Sequence, residues 1–268
     1  MEKKYTLVTG ATGGLGRAFC FELLKQNRNL IITATKKERL ESLKAELNEQ
    51  NKNIDILCME CDMSSEKSRK LLFNEIKDNN LSIDMLINNA GYITEGAVEN
   101  VIADSLLQAI KVNCEGVVDL TKFVVDNHKS QEKLNILTVS SLAALYPMPY
   151  MGIYAATKSF LLSFMTALRE EVKDKGIIVS TTLPSGIYTT QAMKDAIASQ
   201  GIAGKLSSHT PEFIAKYSLK KALKGKAIIV PGAFNRFTKF VSNFASYTYQ
   251  AKFVGKRWKK SQNKRNIK

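Results

Sequence analysis

Seven short runs of this chain are hydrophobic at almost every position, with amphipathic stretches between them. The runs are KYTLVTG (4–10), NLIITAT (29–35), IDILCME (54–60), IDMLINNAG (83–91), LNILTVSS (134–141), GIIVSTTLP (176–184) and KAIIVPG (226–232). A strand with one wet face alternates apolar and polar residues, so continuous runs imply strands covered on both sides. The stretches between carry helical spacing, as Leu40, Leu43 and Leu47 do in KKERLESLKAEL. Strands alternating with helices imply a doubly wound parallel sheet of about seven strands, with helices on both faces and right-handed crossovers. No internal repeat or linker precedes residue 213, so residues 1–232 are expected to form one domain.

The first run ends in VTGATGGLGRAF, where Gly10, Gly14 and Gly16 follow a strand and open a helix. Small residues there let the backbone approach a pyrophosphate, and the helix N-terminus offers unpaired N–H groups. An acidic residue at the end of the second strand would bind the adenosine ribose hydroxyls. The chain instead reads Thr33-Ala34-Thr35-Lys36-Lys37, so Thr35 and Lys36 are candidates for holding a 2′-phosphate. NADP(H) is therefore favoured over NAD(H).

YAATKSF at 154–160 places Tyr154 and Lys158 one helical turn apart, on one face. With TGATGGLG at 9–16, NNAG at 88–91, Asn113, Ser141 and Tyr154-x-x-x-Lys158 in order, residues 4–232 resemble the short-chain dehydrogenase/reductase family. The thirteen-residue step from Ser141 to Tyr154 is part of that resemblance.

The resemblance implies a Rossmann-type fold and an oxidoreductase acting on CH–OH or C=O groups. It implies catalytic roles for Asn113, Ser141, Tyr154 and Lys158. Cofactor contacts would come from Gly10, Thr12, Gly13, Gly14, Leu15 and Gly16, then Asp62 at the adenine and its neighbour Met63. Asn89, Ala90 and Gly91 would border the cofactor; Pro184, Gly186, Ile187 and Thr189 would complete the site, with Thr189 on the nicotinamide amide. Tyr154 would exchange the proton, and Lys158, together with the oxidised nicotinamide, would lower its pKa and also bind the nicotinamide ribose. Ser141 would orient the substrate oxygen and Asn113 would hold a water leading to solvent. The chain departs from the family pattern at Pro184-Ser185-Gly186, where Pro-Gly is usual, and at Gly13 and Thr35, where NADP-using relatives often carry other residues.

Leu142, Tyr146, Met148, Met151, Tyr188 and Met193 are expected to face the substrate, along with Tyr92 and Tyr150. The set is bulky and apolar, which suits a hydrophobic ketone, aldehyde or alcohol. The segment 189–209 is expected to form a helix and a lid, followed by a second helix capped by Thr210 with Pro211 at its first position. The leading reading is an NADPH-dependent carbonyl reductase. The alternatives are a hydroxysteroid dehydrogenase acting on a sterol or bile-acid-like alcohol, and a non-catalytic dinucleotide-sensing or interaction protein.

The formal charge of +14 is concentrated at one end: residues 213–268 hold 15 Lys/Arg and no acid. Within the extension 233–268, Phe234, Phe237, Val241 and Phe244 fall on one helical face. Their expected place is against the body or a partner subunit, with the tail solvated; a peripheral membrane contact is the alternative. A homodimer or homotetramer through helices near 101–127 and 152–174 is the family-like expectation. No nucleic-acid recognition motif is present. CMEC at 58–61 lies in a strand and lacks a second ligand pair, so no metal site is expected. The start MEKK runs straight into a strand-like segment, and the expected location is cytoplasmic.

Overall fold

The two-sided burial inferred from the hydrophobic runs is explicit in the computed structural model, which describes residues 3–129 and 132–266 without the side chains of 192 and 260–266. Residues 1, 2, 130 and 131, and the last two of the expected extension, lie outside it. The strands are β1 (Lys4–Thr9), β2 (Asn29–Ala34), β3 (Ile56–Glu60), β4 (Ser82–Asn88), β5 (Leu134–Val139), β6 (Ile177–Thr182) and β7 (Ile228–Ile229). They form one parallel sheet in the order β3-β2-β1-β4-β5-β6-β7.

The helices are α1 (Gly14–Leu24), α2 (Lys37–Gln50), α3 (Glu66–Asp78), α4 (Ala103–Ile110), α5 (Gly116–Asp126), α6 (Gly152–Val172), α7 (Gln191–Ser199), α8 (Gly201–Ser207), α9 (Pro211–Ala222), α10 (Ala233–Ser242) and α11 (Tyr247–Asn266). Val8, Ile32, Ile87 and Leu137 face one core with residues of α1, α2 and α9. Their chain neighbours Leu7, Ile31, Leu86 and Ile136 face a second core with residues of α3, α5 and α6. Successive strand side chains point to opposite faces, so only a continuous apolar run can fill both cores. Each fully buried Leu or Ile contributes about 1.5–3 kcal/mol. The chain leaves β1 toward β2 and β3, then returns to add β4 on the other side. That reversal opens a crevice at the carboxyl ends of β1 and β4, where such sheets bind ligands.

Two expectations change in detail. The run 226–232 supplies a strand of only two residues, because Pro231 offers no N–H to continue a ladder. The 189–209 segment forms two helices rather than one, broken where Gly201 adopts φ +68°. Thr210 caps α9 by accepting a bond from the Phe213 N–H, with Pro211 at the first helical position, as expected.

Candidate active site

The crevice is built by backbone close approach at the end of β1. The Asn89 amide donates to the carbonyls of Thr9 (2.9 Å) and Gly10 (3.1 Å). The Thr9 hydroxyl accepts from the N–H groups of Asn89 and Ala90, both at 3.0 Å. Thr9 thus locks β1 to the NNAG segment, a role its place before a glycine did not signal. A Cβ on Gly16 would lie 2.2 Å from the Gly10 carbonyl oxygen, and one on Gly14 2.6 Å from Thr189 Cγ2. These glycines let the loop, helix α1 and the segment carrying Thr189 meet. Gly13 is the N-cap of α1 and makes no side-chain cap, so the first-turn N–H groups remain for a ligand. An electropositive helix start beside this loop fits the pyrophosphate of a dinucleotide. Thr12 and Leu15 stand in the same loop, with Leu15 turned into the core.

Thr189 reaches this loop despite the extra Ser185. The Pro184 carbonyl accepts from the Leu142 N–H at 2.9 Å, and Gly186 and Tyr188 pair with the backbone of His209 at 3.0 and 3.2 Å. Ile187 forms the bridge to His209 between them. The departure from Pro-Gly is absorbed by this short pairing.

At the other end, Thr35 and Lys36 are exposed beyond β2. Glu60, opposite Ala34 on β3, accepts the Lys37 N–H at 3.2 Å and so caps α2. It stands beside the place where a ribose-binding carboxylate would, on a different strand from the one sequence reasoning inspected. Asp62 Oδ1 holds the Ser64 N–H (2.9 Å) and hydroxyl (2.7 Å). The Met63 side chain is buried, and its carbonyl accepts from Arg69 at 2.8 Å, so of the expected cofactor contacts at this residue only the main-chain N–H is left. Arg69 also pairs with Glu115 and Asp119, tying this loop to α5.

The catalytic candidates converge from β5, α6 and a π-helical turn over Lys111–Glu115. Ser141, just past β5, accepts the Ala143 N–H at 3.1 Å and hydrogen-bonds the Tyr154 phenol. Lys158, 4% exposed, donates to the Val139 carbonyl at 2.9 Å, with its Nζ 5.8 Å from the centroid of the Tyr154 ring. A Cβ on Gly91 would lie 3.6 Å from that Nζ and 3.5 Å from Asn113 Oδ1, ordinary contact distances that place the NNAG segment against both side chains. Asn113 is fully buried. Its Oδ1 accepts the Tyr92 N–H (2.8 Å), and its Nδ2 donates to the Tyr92 carbonyl (2.9 Å) and Thr157 (3.0 Å). Both amide protons are spent, so the side chain orients Tyr92 and α6, and any water held here must use the main chain.

Burial pushes the Tyr154 phenol above its ordinary value, against the Ser141 hydrogen bond. Lys158 alone does not produce the lowering expected of it together with the oxidised nicotinamide: its ammonium addresses the Val139 carbonyl, and desolvation of the phenol dominates. Burial in turn pulls Lys158 down to about 8, opposed by Cys114. Between that value and the unfolded lysine value of about 10.5, the folded chain binds fewer protons than the unfolded one, so this group adds stability as pH rises through that window. Lys158→Met is therefore expected to raise the melting temperature of the cofactor-free protein at pH 7 while abolishing its activity. That gain should vanish above pH ~10.5, where lysine is neutral in both states. Melting scans across pH test this, and a variant less stable than wild type at pH 7 would contradict it.

Among the expected substrate residues, Leu142 is not at the rim. It is 3% exposed and packs with Leu183 and Val230 as part of the apolar layer under the site. Tyr146, Met148, Met151, Tyr188 and Met193 are half-buried. Tyr150 adopts φ +69°, a left-handed strain that a non-glycine residue carries only where its surroundings impose it. With Glu95, Gly96 and Ala97 it lines a cavity of about 390 Å³. A Cβ on Gly255 would lie 3.2 Å from Pro149, so α11 packs over this loop. Arg257 on α11 pulls the phenol of Tyr146 down against the larger upward effect of burial. Nothing in the sequence places the chain end there.

The aromatic stripe does not pack as expected: Phe237, Val241 and Phe244 are exposed, and only Phe234 is half-buried. Cys58 and Cys61 are free thiols pushed up to about 11 by burial, the opposite of a reactive redox pair. No helix of the described residues is long and apolar enough to cross a membrane.

Comparison with known proteins gives this arrangement its relatives. The chain is 29% identical over 190 residues to 17-beta-hydroxysteroid dehydrogenase type 3 of Homo sapiens, covering 69% of this chain and 60% of that protein. It is 31% identical over 195 residues to the very-long-chain 3-oxoacyl-CoA reductase of Bos taurus, covering 70% and 61%. The chain thus spans about three fifths of the length of these curated relatives. A solved 7beta-hydroxysteroid dehydrogenase has the same fold at TM-score 0.85 and 20% identity, over 94% of this chain and 96% of that one. A short-chain dehydrogenase from Sphingobium yanoikuyae, solved with NADPH, matches at TM-score 0.76 and 22% identity, over 90% and 93%. The model of the short chain dehydrogenase family matches residues 4–200, and with that match the chain belongs to the short-chain dehydrogenase/reductase family.

Proposed function

We propose that this protein is an NADPH-dependent reductase of hydrophobic ketones or aldehydes. One observation carries the reading: a buried Lys158 amine beneath a phenol that Ser141 engages, at the mouth of a glycine-built crevice. The nicotinamide supplies the hydride when bound. The chain's part is to place and protonate. Ser141 fixes the carbonyl oxygen, and Tyr154, protonated because burial favours the neutral phenol, gives its proton to that oxygen as negative charge develops. Lys158 stabilises the phenolate left behind. Asn113 holds Tyr92 and α6 in register.

Gly10, Thr12, Gly13, Gly14, Leu15 and Gly16 would cradle the pyrophosphate, with Asp62 and Met63 at the adenine and Asn89 to Gly91 beneath the nicotinamide ribose. Thr189 would hold the amide, positioned by Pro184, Gly186 and Ile187. The exposed Thr35 and Lys36 support preference for the 2′-phosphate. Thr35→Asp would set a carboxylate against that phosphate, and kcat/KM with NADPH should fall by about tenfold or more relative to NADH. An unchanged ratio in steady-state assays would remove Thr35 from cofactor selection.

The second reading, a hydroxysteroid dehydrogenase, draws on the named relatives and on the half-buried Tyr and Met residues of the rim. Steroid ketones, 3-oxoacyl thioesters and simple aryl ketones, each with NADPH, separate the two. Tight NADPH binding with no turnover would instead favour a sensing protein. A homodimer or homotetramer would cover Leu107 and Ile110 of α4 and Phe160 of α6, which are exposed on two helices in contact.

A further inference from the structure

Six large apolar side chains stand in water on two adjoining helical segments, α8 within the expected 189–209 lid and α10 with the turn that follows it. Ile202 and Leu206 lie one turn apart on α8. Phe237, Phe240 and Val241 on α10 and Phe244 just past its end repeat at helical spacing, with Ile202 and Phe244 the most open at 79% and 76%. Such a set is costly to leave solvated, and soluble monomers seldom group so many without a partner.

The helices are fixed to one another. The Asn235 amide donates to the carbonyls of Ser207 at the end of α8 and Pro231, both at 2.8 Å. The Gln250 amide, from α11, donates to Ser242 (2.8 Å) at the end of α10 and to Ala245 (2.7 Å) in the turn beyond it. Phe240 and Phe244 meet edge-on, with ring centroids 5.1 Å apart. The face is therefore presented in one orientation, and α11 in turn packs on α7 of the lid.

The charge beside it has one sign. Lys205 belongs to α8, Arg236 and Lys239 to α10, and Lys252, Lys256, Arg257 and Lys259 to α11, while residues 213–268 contain no acid at all. The nearest acids in sequence are Asp195, held by Gln191, and Glu212 at the start of α9.

We propose that this α8–α10 face docks the protein on an anionic lipid bilayer, with the aromatic and aliphatic side chains in the headgroup–acyl boundary and the lysines and arginines against the lipid phosphates. Apolar insertion beside a cationic rim is the composition of an interfacial helix. A second copy of this chain is a poor occupant, because a self-contact would bring two acid-free cationic ends together. A nucleic-acid backbone would satisfy the cations and leave the six apolar chains in water. Docking does not depend on the carbonyl-reductase reading, and its test needs no turnover.

The full chain is sedimented with vesicles of phosphatidylcholine alone, or with about three tenths phosphatidylserine, where each Lys or Arg near the surface adds to binding. At least about tenfold stronger partition onto the anionic vesicles is expected, falling steeply in high salt. A Phe237→Ser, Phe240→Ser, Phe244→Ser variant should lose about tenfold or more of that partition, with unchanged melting temperature and NADPH affinity. Equal partition of variant and wild type would overturn the proposal. So would indifference to phosphatidylserine, or failure to bind vesicles together with a variant that drops to a smaller oligomer, which would give the face to a second copy.

Discussion

Tyr154→Phe is expected to lower turnover by about a hundred- to ten-thousandfold while leaving NADPH affinity and melting temperature close to wild type. The substitution deletes one hydroxyl and keeps the ring that packs one turn above Lys158. What is lost is the proton donor against the carbonyl oxygen, and Ser141, whose hydroxyl already addresses the Tyr154 phenol and lies within 3.4 Å of the Pro184 carbonyl, cannot replace it. Steady-state reduction of the best substrate, alongside NADPH titration of both proteins, makes the comparison. Turnover within about threefold of wild type, well short of the range for loss of a positioned acid, would sink the acid role and with it the catalytic assignment.

Gly16→Ala should be the most damaging single methyl group in the site. Its Cβ would stand 2.2 Å from the Gly10 carbonyl oxygen and 2.9 Å from the Asn89 amide nitrogen. Neither is the end of a flexible side chain: one is backbone, and the other is pinned to Thr9 and Gly10. Helix α1 would have to lift from the loop. That overpacking costs about 2–3 kcal/mol of stability and spoils the alignment of the first-turn N–H groups. NADPH affinity should fall at least about a hundredfold, as loss of several charge-assisted hydrogen bonds would require. Gly13→Ala is the control. Its Cβ would meet only the Gly10 carbonyl at an ordinary 3.4 Å, so its stability should change by less than about 1 kcal/mol. Thermal melts and NADPH titration of the pair decide it; equal behaviour of the two variants would refute the close-approach argument.

Much of this protein was legible before any coordinate. Continuous apolar runs announced strands buried on both faces, because alternate side chains of β1, β2, β4 and β5 must fill two cores. The glycine spacing and the Tyr154–Lys158 step were also visible there, and Ser141 came with the family resemblance. They are local features, set by one turn of helix or one strand end, and sequence distance equals spatial distance there. Thr210 and Pro211 opening α9 belong to the same kind.

Everything that depended on where distant segments meet was decided by tertiary structure. Leu142 follows Ser141 by one residue, yet its side chain points into the core while Ser141 hydrogen-bonds the Tyr154 phenol. Asn113 spends its amide on Tyr92 and Thr157, partners 21 and 44 residues away. Glu60 reaches the ribose end from a neighbouring strand. The sign of the Tyr154 shift turned on desolvation, which no spacing encodes, and so did the depression of Lys158. The cationic end, read in the sequence as an amphipathic helix whose aromatic stripe packs away from water, proved to be α10 and α11, with α11 packed on α7 and the aromatic face left in water. Periodicity tells which side of a helix is apolar. Only the packing of the whole chain tells whether anything is there to cover it.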